Sequence, residues 1–287
     1  MFIKNILVPV DGTEVSGTAL DVALHLGREL GSHVDVLHVA TDPKDAVPLL
    51  GEGMSAAIIE EMILLAERDA MERTARAAAM FEDARSRYGL TLKDGPPSLE
   101  GGSTVLVQAV GREDVLTAQK GRLSDLVVVA RPCEQSDASL AMTINAAIFE
   151  TGRPVLIAPP RIPEIIASNI AISWNGSAEA SRAVAAALPL IVRAKSVVIM
   201  TAENDKTPPA VAGELASYLA WHGVTAQSRS LPGGSQVGEV LLEDCKVFGA
   251  DLLVMGAYTH SRMRQLILGG VTKHVLASAE LPVLMAH

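Results

Sequence analysis

Three strand-like segments occur twice in this chain, in the same order. Ile6-Leu7-Val8-Pro9-Val10-Asp11-Gly12-Thr13 is echoed by Ile170-Ala171-Ile172-Ser173-Trp174-Asn175-Gly176-Ser177. Each is an apolar run followed by Asp or Asn, Gly, and a hydroxyl residue able to cap a helix. Asp125-Leu126-Val127-Val128-Val129-Ala130 matches Asp251-Leu252-Leu253-Val254-Met255-Gly256, and Arg153-Pro154-Val155-Leu156-Ile157-Ala158 matches Leu281-Pro282-Val283-Leu284-Met285-Ala286. A chain of 287 residues with this pattern is one unit written twice. The copies are expected at 1–160 and 165–287, on either side of Pro159-Pro160-Arg161-Ile162-Pro163. Three prolines in five residues cannot extend a central strand or a helix.

Between the repeated segments, strands alternate with helices. His33 to Ala40 reads as a strand. Residues 55 to 88 read as one long helix with Ile59, Met62, Ile63, Ala66, Ala70, Thr74, Ala77 and Phe81 on one stripe. Asp69–Arg73 and Glu72–Arg76 are helix-favouring pairs on its outer side, and Gly89 ends it. In the second copy, residues 196–201 and 224–231 read as strands, and 209–222 and 236–248 as helices closed by Gly223 and Gly249. This order, β-α-β-α-β-α-β-α-β in each copy, predicts an α/β protein of two tandem doubly wound, five-stranded parallel-sheet domains. Composition agrees. The chain is 49% hydrophobic but 3% aromatic, so aliphatic side chains must build sheets covered by helices on both faces.

A net charge of −9 argues against binding a nucleic-acid backbone. The two cysteines, Cys133 and Cys245, are far apart, and no Cys/His cluster has metal-site spacing. No apolar stretch approaches the roughly 18 residues of a bilayer span, and the start lacks a signal-peptide pattern. These features point to a cytoplasmic protein without membrane or nucleic-acid partners.

One loop bears on function. Met255-Gly256-Ala257-Tyr258-Thr259-His260-Ser261-Arg262 follows a buried strand, and Gly269-Gly270 comes ten residues after Thr259. A strand that turns at a glycine into a helix aims backbone N–H groups and a helix N-terminus at one spot, where an anion is stabilised. The stretch resembles the Gly-x2-Gly-x9-Gly-Ser/Thr phosphate loop of the universal stress protein family, with Thr259 in place of the second glycine and Gly270 in place of the hydroxyl residue. Tandem members of that family have the same layout, so the resemblance covers nearly the whole chain. It implies the fold shared with adenine nucleotide alpha hydrolases, and an adenine nucleotide, ATP with Mg2+, as ligand. It also implies that the fifth strands of the two copies pair, making the chain an internal pseudo-dimer, with a homodimer as a further assembly.

In the family, an acid after the first strand meets the adenine end, backbone at the end of the second strand completes the base pocket, and the glycine loop holds the phosphates. Carried onto the second copy, this implicates Ser173, Trp174 and Asn175, then Thr201, then Gly256, Thr259, Ser261, Arg262, Gly269, Gly270, Val271 and Thr272. In the first copy Asp11 is kept, but Ala130-Arg131-Pro132-Cys133-Glu134 stands where the loop should begin. Pro132 removes a donor and Glu134 would repel phosphate, so no triphosphate is expected there and Asp11 is expected to serve the loop or the helix cap. The long helix is expected to be a packing or pairing surface, with a lid over the crevice as the other reading. His260 and His274 flank the phosphate loop, but surface-helix positions explain them as well as base catalysis does. No catalytic residues are assigned. The expected function is a non-enzymatic stress-response module with nucleotide in its second domain. A slow ATP hydrolase or phosphotransferase, and a nucleotide-free protein-interaction scaffold, remain as alternatives.

Overall fold

The computed structural model describes residues 3–42, 55–95, 101–132, 138–202, 210–257 and 270–287. The chain forms two compact units. The N-terminal unit runs β1 (Asn5–Pro9), α1 (Glu14–Leu30), β2 (His33–Ala40), α2 (Ala56–Tyr88), β3 (Thr91–Leu92), β4 (Ser103–Val110), α3 (Glu113–Gly121), β5 (Leu126–Ala130) and α4 (Ala138–Glu150). Its strands lie in the order β3-β4-β2-β1-β5, all parallel. β3 is a two-residue edge strand added to the expected layout.

The C-terminal unit runs β6 (Val155–Ala158), β7 (Asn169–Ser173), α5 (Ala178–Ile191), β8 (Ser196–Ala202), α6 (Ala210–Ala220), β9 (Ala226–Leu231), α7 (Val237–Phe248), β10 (Leu252–Gly256), α8 (Gly270–Ser278) and β11 (Val283–Ala286). Its strand order is β6-β11-β10-β7-β8-β9. The pairs from β11 to β9 are parallel, whereas β6 runs antiparallel to β11 with Leu156 opposite Leu284. The compact units therefore do not divide at the proline segment. Gly152 onward, including β6, lies with the C-terminal copy. The physical reason is the open edge: β6 is a four-residue apolar strand, and its unpaired backbone groups are met by the equally short β11. The fifth strands of the two copies thus pair directly.

The first strand of each copy sits at the centre of its sheet and is buried on both faces. Ile6 and Val8 in β1, and Ile170 and Ile172 in β7, are fully inaccessible. The aspartate opening the fourth strand of each copy ties down the start of the first. Asp125 Oδ2 accepts from the N–H groups of Lys4 and Asn5 at 2.7 and 3.1 Å, and Asp251 Oδ1 accepts from that of Asn169 at 2.9 Å.

Local chemistry sets the helix ends. Thr13 and Ser177 cap α1 and α5, accepting from the N–H groups of Ser16 and Ala180. Ser55 caps α2, and Gly89 closes it in the left-handed conformation. The stripe on α2 is buried unevenly. Ala77, Phe81 and Ala84 are in the core, whereas Ile59, Met62, Ile63, Ala66, Ala70 and Thr74 are half-buried. Arg73 pairs with Asp69 at 2.9 Å and Arg76 approaches Glu72 at 3.9 Å, both on exposed turns.

Candidate functional site

In both sheets the switch point falls beside the first strand. β1 lies between β2 and β5, and β7 lies between β8 and β10. Crevices of open α/β sheets form beyond the C-terminal strand ends at such points.

In the C-terminal unit, register aligns Ser173 with Met200 of β8 and with Met255 of β10, so Trp174, Thr201 and Gly256 follow at one sheet edge. Trp174 donates its backbone N–H to Met200 O at 2.9 Å and its indole N–H to Val211 O at 3.1 Å. The ring is half-buried and fastened to α6. Asn175 is exposed, and its Oδ1 accepts from the Ser177 N–H at 3.1 Å, which shapes the turn into α5. Thr201 is buried, and its hydroxyl has no hydrogen-bond partner among the described residues.

Gly256 answers a packing demand. Its φ is not positive, yet an added β-carbon would stand 2.6 Å from Ala180 N and 2.9 Å from the Glu179 backbone. Only glycine lets β10 end against the first turn of α5. Gly270, Val271 and Thr272 form the first turn of α8, with Thr272 buried. His274 of the same helix packs on Gly238 of α7. Thr259, Ser261, Arg262 and Gly269, together with His260 and Cys133, lie outside the described residues.

The N-terminal unit holds a cavity of about 710 Å³ at its strand ends. Asp11, His38 and Glu113 reach it from the ends of β1 and β2 and the start of α3, Arg73 from α2, and Met142 and Thr143 from α4. The long helix is thus a wall of this crevice as well as a packing element. Two contacts seat it there. Gly12 (φ +82°) passes so close that a β-carbon would stand 2.7 Å from Arg73 O. His38 is buried, with Nδ1 2.8 Å from Val10 O and Nε2 3.0 Å from Thr74 Oγ1. A carbonyl only accepts, so Nδ1 donates to Val10 O, while the Thr74 hydroxyl beside Nε2 donates to Ala70 O at 2.8 Å within α2.

Asp11 Oδ1 accepts from the N–H and hydroxyl of Thr13 at 2.9 and 2.7 Å. It serves the helix cap and also lines the cavity. Glu113 accepts from the Thr143 hydroxyl at 2.8 Å. Burial, with help from the nearby Asp11 and Asp114 charges, pushes its carboxyl up to about 7, against the opposing pull of Thr143 and Arg73. Sequence reasoning missed Glu113. Gly111-Arg112-Glu113-Asp114 reads as an ordinary polar turn after a strand, and its one usable signal is its place at the end of β4.

Another cluster has catalytic residue types without access. Asp35 Oδ1, His33 and Ser103 Oγ form a chain with links of 3.2 and 2.8 Å. Hydrogen bonding from His33 holds the Asp35 carboxyl below its usual range. Ser103 and His33 are buried near the N-terminal ends of β4 and β2, away from the cavity lining, so the chain pins neighbouring strands together. Cys245 is also buried, and desolvation pushes its thiol up to about 12, which leaves no thiolate for chemistry. Among the described residues no helix is long and apolar enough to cross a membrane.

Comparison with known proteins decides the family. The family model described as "Universal stress protein family" matches residues 2–132 and 169–287. The chain belongs to the universal stress protein family. Its two matched segments make it a tandem member. It is 23% identical to the universal stress protein Slr1230 of Synechocystis sp., over 98% of this chain and 99% of that one. A crystal structure of a universal stress protein from Archaeoglobus fulgidus has the same fold, with a TM-score of 0.68 at 15% identity, covering 98% of this chain and 97% of that one. A functionally unknown protein from Pseudomonas aeruginosa matches with a TM-score of 0.59 at 15% identity, covering 98% and 92% of the respective chains. In this universal stress protein, the mixed α/β architecture and tandem organisation expected from the repeats are present.

Proposed function

We propose that this tandem universal stress protein is a stress-response module that binds one adenine nucleotide, ATP with Mg2+, in its C-terminal unit, without strong catalysis. Thr201 carries the reading. Its hydroxyl is buried without a partner among the described residues near the end of β8, one residue beyond Met200, which accepts from the Trp174 N–H. An unsatisfied buried hydroxyl costs about 1–3 kcal/mol, and a bound nucleotide would supply the missing partner. Asn175, in the turn after β7, offers an exposed amide. Gly269 and Gly270 keep the family spacing after Gly256 in sequence, and Ser261 and Arg262 add a hydroxyl and a positive charge to the same stretch.

The N-terminal unit is the wrong place for a triphosphate. Its cavity is lined by five carboxyl groups and two guanidiniums, so polyanions are repelled. The reading is tested by denaturing the freshly purified protein and identifying released nucleotide, then titrating the stripped protein with Mg-ATP. Recovered adenine nucleotide and one saturable site support it. Empty protein with no binding at millimolar Mg-ATP rejects it. Turnover above buffer that Thr201→Val abolishes would count against a non-catalytic site in this unit.

A further inference from the structure

The cavity of the N-terminal unit has no ligand assigned to it. At about 710 Å³ it falls within the range of small-molecule pockets, roughly 300–1,000 Å³. Its walls combine an apolar slot, formed by Val39, Ala66, Ala70 and Met142, with convergent polar groups. Charge decides what chemistry fits. Its guanidiniums are engaged from within the lining: Arg73 Nε meets Asp69 at 2.9 Å, and Arg112 Nη2 meets Asp114 at 2.6 Å. Asp11 and Glu113 have no ion-pair partner among the described residues, and they lie close enough to repel each other. An anion entering here meets five carboxyl groups against two guanidiniums. A cation relieves that imbalance.

We propose that this cavity is a second ligand site, selective for a small organic cation with an apolar body, whose ammonium or amidinium group is held by Asp11 and Glu113. The apolar part lies along Ala66, Ala70 and Met142, under the wall that α2 provides. A bare metal ion is a poor occupant of so large a space, and among the described residues no His/Cys/Asp/Glu group is arranged to hold one. The site is independent of nucleotide binding in the C-terminal unit.

Binding is linked to protons. The groups facing Glu113 are Asp11 from the β1–α1 loop, Arg73 from α2, Asp114 from its own helix and Thr143 from α4, with His38 of β2 lining the same cavity. With the Glu113 carboxyl titrating near 7, a cation selects its ionised form and displaces its proton. Affinity therefore rises about tenfold between roughly pH 6 and pH 8, as the ionised fraction does.

The test is calorimetric titration of the full chain, without nucleotide, using tryptamine and agmatine as cations and indole-3-propionate as the charge-reversed control. Saturable one-to-one binding of at least one cation, stronger at the higher pH and absent for indole-3-propionate, is expected. Glu113→Gln should weaken it and flatten its pH dependence. Asp11→Asn, which keeps the oxygen that Thr13 uses, should weaken it without disturbing the fold. Absence of binding by both cations up to millimolar concentration overturns the proposal. So does equal binding of indole-3-propionate, or cation binding indifferent to both variants. Because no nucleotide is present, either result leaves the Thr201 reading standing.

Discussion

Thr143 donates its hydroxyl to Glu113 across 2.8 Å, joining the first turn of α3 to α4 at the cavity wall. Burial raises this carboxyl from 4.5 to about 7 in the folded protein. The folded state then holds a proton that the unfolded state has released. Stability from this group is fully present below about pH 4.5 and is lost as pH rises through about 7, by about 3 kcal/mol in all. Glu113→Gln does not titrate. Wild type should therefore lose stability relative to the variant as pH rises from about 4.5 to about 7, read from urea midpoints across that window. Parallel profiles would mean that the carboxyl is solvated.

Gly12 and α2 give a second prediction. Gly12→Ala meets both a positive φ and the Arg73 carbonyl, whereas Gly31, with φ +61°, has nothing within 4 Å of its would-be β-carbon. Gly31→Ala should cost about 1 kcal/mol, from conformation alone. Gly12→Ala should cost about 2 kcal/mol or more and loosen α2. Equal shifts in the urea midpoint would show that α2 yields without penalty.

Gly256 sits where the family glycine loop begins, yet its demand is for space against Ala180 and Glu179. Gly256→Ala should destabilise the protein by about 1–3 kcal/mol even when no nucleotide is present. A thermal scan of the stripped variant checks this. An unchanged midpoint would return Gly256 to a purely ligand-facing role.

Thr201 separates ligand from packing. Thr201→Val removes a hydroxyl with no partner among the described residues, so the stripped protein should be unchanged or gain up to about 1 kcal/mol. Its Mg-ATP affinity should fall by about tenfold, the loss of one good hydrogen bond. Calorimetry and denaturant unfolding on the same preparation read both. Marked destabilisation of the stripped protein would mean that the hydroxyl already has a partner.

Much of the fold was legible because its signals are local. Ser55, Gly89 and Gly249 end helices by chemistry confined to one turn, and the paired Asp11-Gly12-Thr13 and Asn175-Gly176-Ser177 turns keep the same Asx hydrogen bond in both copies. The partner of β6 was legible through the family resemblance, but its membership of the C-terminal compact unit was not, since that depends on where its contacts concentrate. The cavity was less readable still. His38 finds Thr74 from 36 residues away, and Glu113 looks like an ordinary acid in a first helical turn. Its burial against Thr143 and Asp11 comes from elements far apart in sequence.

The central claim is one nucleotide site, in the C-terminal unit. Its most direct test is Mg-ATP calorimetry on the stripped wild type beside Thr201→Val and Asp11→Asn. The account predicts one saturable site per chain, weakened by Thr201→Val and untouched by Asp11→Asn. A site lost in Asp11→Asn but kept in Thr201→Val, or no saturable heat from the wild type at millimolar Mg-ATP, would contradict it.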